Sequence, residues 1–132
     1  MNFEHIELNQ LEAETFGKVA ETWAEKINHN SKNKSSQLRK YYDELVMWND
    51  KVQQTDDYVG NVPFIKMMKA KVAYAKGRDL VDENFQKMFN RIIDEIEDKE
   101  SLRNAKLFFE AVLDFRKALE NTKTVHPQTN WR

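Results

Sequence analysis

Residues 82–96 read Asp82-Glu83-Asn84-Phe85-Gln86-Lys87-Met88-Phe89-Asn90-Arg91-Ile92-Ile93-Asp94-Glu95-Ile96. Phe85, Met88, Phe89, Ile92, Ile93 and Ile96 recur at three- and four-residue steps. That period places them on one face of an α-helix and leaves the polar residues on the other. The stretch predicts a helix over 82–97, opened by Asp82 as N-cap. The same period continues in Leu102, Ala105, Phe108, Phe109, Val112, Phe115 and Leu119, predicting a helix over 99–121. Two consecutive helices of this kind, each apolar on one side only, need further helices to cover them.

Working back toward the N-terminus supplies those helices. Leu38, Tyr41, Tyr42, Leu45, Trp48 and Val52 predict a helix over 36–54, with Ser35 or Ser36 as cap. Phe16, Val19, Ala20, Trp23 and Ile27 predict one over 9–28, followed by a polar linker at 28–33. Between them and the decisive stretch lies a predicted helix over 62–76. Asn61 is its expected cap, Pro63 falls in its first turn, and Gly77 is its expected left-handed terminator. The chain holds only three glycines and two prolines, too few for a strand-and-turn protein. The predicted fold is all-α: a compact bundle of about five amphipathic helices with no sheet. Connections of about 4–8 residues suit mostly antiparallel neighbours. At 132 residues the chain fits a single domain, 1–132, with loose ends expected at 1–8 and 122–132.

Composition excludes several classes of chemistry. Without cysteine there is no disulfide framework, thiolate zinc site or thiol nucleophile. No apolar run approaches the ~20 residues needed to span a bilayer. Met1-Asn2-Phe3-Glu4-His5 lacks the basic and apolar regions of a secretory signal, so a cytoplasmic protein is expected. His5, His29 and His126 stand far apart and form no ligand pattern. The acidic run Asp94, Glu95, Glu97, Asp98 and Glu100 suits solvated helix ends, and Asp98 and Glu100 suit the positive start of the last helix. Gly17, Gly60 and Gly77 are isolated, so no glycine loop cradles a phosphate. These readings leave no catalytic residue, metal or cofactor to assign, and they favour a binding role.

Charge gives that role a location. The net charge of −1 hides a segregated chain. Residues 1–31 carry −4, residues 32–78 carry +5, and residues 79–132 carry −2. The predicted helix Pro63-Phe64-Ile65-Lys66-Met67-Met68-Lys69-Ala70-Lys71-Val72-Ala73-Tyr74-Ala75-Lys76 contains no acid. Phe64, Ile65, Met68, Val72 and Ala75 share its core sector. Lys66, Lys69 and Lys76 share the adjoining sector, and Lys71 and Arg78 emerge on the other flank. Like charges at these spacings repel, so such a face calls for negative charge elsewhere. Arg39 and Lys40 add two cations beside Tyr41 and Tyr42. Lysine-dominated arrays suit a phosphate backbone better than base edges, which favour Arg, Asn or Gln forks. A lysine face also serves solubility alone, and pattern by itself stops at a helical domain with a basic face.

Two segments carry a resemblance. Ser36-Gln37-Leu38-Arg39-Lys40-Tyr41-Tyr42-Asp43-Glu44-Leu45 resembles an LR-x-[FY]-Y signature, and residues 65–78, IKMMKAKVAYAKGR, resemble MLKAKxAYAxGR. Both signatures belong to the small subunit of type III-A CRISPR effectors, the Csm complexes. Phe85–Phe89 and Leu107–Val112 resemble that family's F-x-x-F and FFEA helices. The similarity runs in order from about residue 35 to 120. It implies a non-catalytic helical subunit that stacks in several copies along the guide–target RNA duplex. The implied partners are crRNA, target RNA, the backbone and large Csm subunits, and further copies of itself, with no membrane and no small-molecule substrate. The implied RNA contacts are Arg39, Lys66, Lys69, Lys71, Lys76 and Arg78, with Lys40 a looser match. Two other readings stand beside it: a helical protein–protein adaptor that touches no nucleic acid, and a small metal-dependent enzyme using the 94–100 carboxylates.

Overall fold

The computed structural model describes residues 2–125, with side chains as far as Glu120. One π-helical turn, Thr15–Val19, runs directly into α1 (Ala20–Lys26). Four longer helices follow: α2 (Ser35–Thr55), α3 (Tyr58–Gly77), α4 (Glu83–Asp94) and α5 (Lys99–Val125). The described residues contain no strand, so the all-α expectation holds. The last part of the expected loose tail, 126–132, lies outside the described residues.

Cross-helix contacts set the directions. Glu44 pairs with Lys71 and Trp48 stacks on Phe64, so α2 and α3 run antiparallel. Ser35 meets Arg116, Tyr42 meets Glu110 and Gln53 meets Lys99, so α2 and α5 are antiparallel as well. All six apolar residues of the decisive stretch are buried, and so are Leu102, Ala105, Phe108, Phe109 and Val112 of α5. Tyr41, Phe85, Phe89 and Phe109 form an aromatic cluster with ring centroids 5.8 to 6.1 Å apart. Aromatic side chains bury large areas each, so this cluster is a large single contribution to the apolar core. Phe64 departs from its expected core place and is 49% exposed.

Helix ends differ from expectation where tertiary bonds intervene. Residues 9–14 are not helical. The Leu8 N–H donates to Glu95 Oε1 at 2.9 Å, and Asn9 Nδ2 donates to the Glu95 carbonyl at 2.7 Å. These bonds tie the entering chain to the end of α4, and Ile6 and Leu8 are buried in the core. The seryl cap of α2 is also displaced. Ser35 is the first helical residue, and the N-cap is Lys34, with no side-chain bond. Ser35 Oγ instead accepts from Arg116 Nη1 at 2.9 Å.

The expected loop at 55–61 shrinks to Asp56 and Asp57, because Asp56 takes the left-handed conformation (φ 54°) and turns the chain at once. α3 therefore starts at Tyr58, capped by Asp57, whose carboxylate accepts from the Gly60 N–H at 2.9 Å. A methyl group at Gly60 would collide with that carboxylate. Asn61 is not the cap: it is buried, and its Nδ2 donates to the Asp57 carbonyl at 2.6 Å. Pro63 sits inside the helix rather than in its first turn, which removes one backbone hydrogen bond. Gly77 is not left-handed, since α3 runs through it and Asp79 (φ 62°) makes the reversal. Asp82 caps α4 as expected, accepting from the Phe85 N–H at 2.9 Å.

The polar linker before α2 contains the residue that ties the bundle together. Asn33 is fully buried in the left-handed conformation (φ 57°). Its N–H donates to the Leu80 carbonyl, its Nδ2 donates to the Ile27 carbonyl, and its Oδ1 accepts from the Asp82 N–H. Its own carbonyl accepts from Arg116 Nη2 at 2.7 Å. One residue thus fixes the end of α1 and the α3–α4 turn through its side chain and amide, and α5 through its carbonyl, around the start of α2.

Candidate nucleic-acid interface

The antiparallel α2–α3 pair places the two basic segments of the sequence side by side. Between them runs a groove of about 530 Å³. Lys40, Tyr41 and Glu44 line it from α2, and Lys71, Tyr74 and Arg78 from the α3 side. Tyr74 is 68% exposed and carries the Arg78 guanidinium over its ring at 5.7 Å. On α2, Arg39 lies over Tyr42 at 5.7 Å and Lys40 over Tyr41 at 5.3 Å. The structure therefore gathers Lys40, Lys71 and Arg78 in one groove, whereas Arg39 lies on the other flank of α2, toward α5.

Three cations of α3 have acceptors on the protein itself. Lys66 Nζ donates to the Ile93 and Ile96 carbonyls at 2.6 and 3.0 Å, closing the C-terminal end of α4. Burial pushes its ammonium below the ordinary lysine range, while nearby Asp94 opposes that shift. Lys69 pairs with Asp94 at 2.6 Å. Lys71 bonds both oxygens of Glu44 at 3.0 Å, although it remains about half exposed. Lys76 is partly buried on the same helix. The negative charge that an acid-free helix demands is thus partly supplied by α2 and α4. Sequence periodicity along one helix carries no signal for such partners, because they arrive from other helices.

Tyr42 ties the other flank of α2 to α5. Its hydroxyl donates to Glu110 Oε1 at 3.0 Å, and its ring meets Phe109 edge-on at 5.8 Å. Burial, then the Glu110 carboxylate, pushes the phenol up to about 12. The hydroxyl therefore stays protonated and holds the α2–α5 contact under the Arg39 guanidinium.

Several of the remaining sequence candidates have structural partners. Asp98 caps α5 by accepting from the Ser101 N–H at 2.8 Å, and that bond holds its carboxyl below the usual range. Glu95 pairs with Arg91 at 3.2 Å. His5 contacts Glu7, and His29 Nδ1 accepts from the Ser31 and Lys32 amides. His126 lies outside the described residues. Among the described residues no group of three or more histidines and carboxylates is arranged to hold a metal ion. No helix among them is long and apolar enough to cross a membrane.

Fold and surface together define an all-α module with a cationic, aromatic-lined groove between two antiparallel helices. A protein-family model described as Csm2 Type III-A matches residues 10–122. The chain belongs to that family, and so is a small subunit of the type III-A CRISPR effector complex, a partner of the other Csm subunits. No curated protein and no solved structure matches it.

Proposed function

We propose that this subunit lies in several copies along the guide–target RNA duplex, contacts phosphates without reading bases, and has no catalytic activity of its own. Its setting would be the cytoplasm, within a complex whose other subunits do the chemistry. The observation that carries the RNA reading is the state of Arg39, Lys40 and Arg78. Each lies over an aromatic face, with no carboxylate ion pair among the described residues. A cation over a ring keeps its N–H donors available for phosphate oxygens. Lys71 lies in the same groove as Lys40 and Arg78, and Lys76, on the opposite flank of α3, would meet a phosphate separately. Lys69 joins it by exchanging Asp94 for phosphate, whereas Lys66 is committed to the end of α4. Specificity in a guided complex resides in base pairing, so backbone contacts of this kind suffice.

The test is target-RNA affinity of the assembled complex across a salt series. Arg39→Glu, Lys40→Glu and Arg78→Glu together should weaken binding at least tenfold and lower the salt slope by about 0.9 per lost contact. Thermal melting should stay near that of the unaltered chain. Unchanged affinity and slope would remove RNA from this groove. The adaptor reading has one observation of its own: Met47, Phe64 and Met67 expose apolar surface on the same pair of helices. Recovery of a tagged chain with one RNA-free protein partner would favour it.

A further inference from the structure

We propose that Glu44 is a built-in competitor for phosphate: it holds Lys71 inside the α2–α3 groove and so limits how tightly the groove takes an RNA strand. This rests on the RNA reading of that groove and supplies the element that opposes it.

Lys40, Lys71 and Arg78 line the groove, and Glu44 is the one acid among its described lining residues. The three cations are not in the same state. Lys40 lies over the Tyr41 ring and Arg78 over Tyr74. Lys71 Nζ instead donates to both carboxylate oxygens of Glu44, each at 3.0 Å. A carboxylate offers a cation a pair of charged oxygens, as a phosphodiester does. Glu44 therefore holds the acceptor position that a phosphate at Lys71 would take.

The carboxylate is held in place from a second side. Trp48 Nε1, one turn further along α2, donates to Glu44 Oε2 at 3.1 Å. The Trp48 ring is itself stacked on Phe64 of α3, with centroids 5.7 Å apart and planes 10° from parallel. The Glu44 side chain is 22% exposed. When Lys71 leaves, Glu44 keeps the indole donor and reaches water, so the exchange strands no buried charge.

The ion pair is also weak enough to exchange. Lys71 is about half exposed, and water screens a pair placed there. A strand seated on Lys40 and Arg78 presents its next phosphate to Lys71 at high effective concentration. Lys71 then gives up one anion to gain another, and the net gain is small. The groove thus binds less tightly than its three cations would by themselves.

The test is target-RNA affinity of the assembled complex across a salt series, with Glu44→Gln, Lys71→Gln and both together. Glu44→Gln keeps the side-chain length and an acceptor for Trp48 while removing the charge. It should tighten binding roughly three- to tenfold and steepen the salt slope by about 0.9, because Lys71 then counts as a full contact. Lys71→Gln should weaken the unaltered complex less than about twofold, and the Glu44→Gln complex roughly three- to tenfold. Equal losses in the two backgrounds would make Glu44 one charge in a general field and overturn the proposal. Unchanged or weaker binding by Glu44→Gln, while the Arg39, Lys40 and Arg78 reversals still weaken it, would also overturn the proposal and leave the groove reading standing. If neither Glu44→Gln nor those reversals have any effect, the RNA reading fails and the competitor with it.

Discussion

Helices α4 and α3 pack against each other and are built on opposite plans. α4 sends Phe85, Met88, Phe89, Ile92 and Ile93 into the core and exposes a face of mixed charge. α3 buries Ile65, Met68, Val72 and Ala75, exposes Phe64, Met67 and Tyr74, and carries cations without acids. Burial of apolar area is non-directional, so α4 needs only to be covered, and α3, α5 and α1 cover it. A cation needs a particular acceptor at a particular distance. α3 is therefore stabilised residue by residue: at the end of α4 for Lys66, at Asp94 for Lys69, and at Glu44 for Lys71. The molecule keeps its stability on the α4 side and leaves the α3 side with charge to spare.

That contrast can be broken by mutation in a graded way. Phe109→Ala, which opens the aromatic cluster facing α4, should cost about 3–5 kcal/mol in urea unfolding of the isolated chain. A loss under about 1 kcal/mol would mean that the cluster contributes little to stability. Lys66→Met keeps the apolar stem and removes the ammonium from two α4 carbonyls, so a loss of about 1.5–3 kcal/mol is expected by the same measurement. A neutral result would show that water replaces the ammonium there, and that Lys66 belongs with the free cations of the groove. Lys71→Ala should cost less than about 1 kcal/mol, because its ion pair with Glu44 is half exposed. A larger cost would make the groove a structural element, and the division between the two helices would disappear.

The two helices also differ in how far they can be read from the chain alone. Every apolar residue assigned to the 82–97 face is buried, and Asp82 caps the helix as its spacing predicts. On α3 the helix itself was legible, but its start was not. Asp56 turns the chain through a left-handed conformation that no hydrophobic period announces. Arg39, Lys40, Lys71 and Arg78 were legible as a basic group; Lys40, Lys71 and Arg78 line one groove between α2 and α3, and Arg39 faces α5 instead. Lys66 looked equivalent to them, and its inward course depends on where α4 ends. Arg116 gave no signal, since α5 as a whole is neither basic nor unusual. Only its antiparallel course along α2 brings it to Ser35 and Asn33. Asn33 read as linker filler, because a buried hub is defined by the three segments that converge on it.

The sequence by itself determined that this chain is helical, which faces of those helices are apolar, and where positive charge concentrates. It also carried the motifs of the Csm small subunit. These properties follow from local spacing, for helical geometry converts a period of 3.6 residues directly into a face. The tertiary structure alone decided which cations are answered by carbonyls and carboxylates and which are left on aromatic faces. It also placed Arg116 beside the start of α2. The physical reason is that hydrogen bonds and ion pairs act over a few ångströms between residues that can lie 81 positions apart, as Ser35 and Arg116 do.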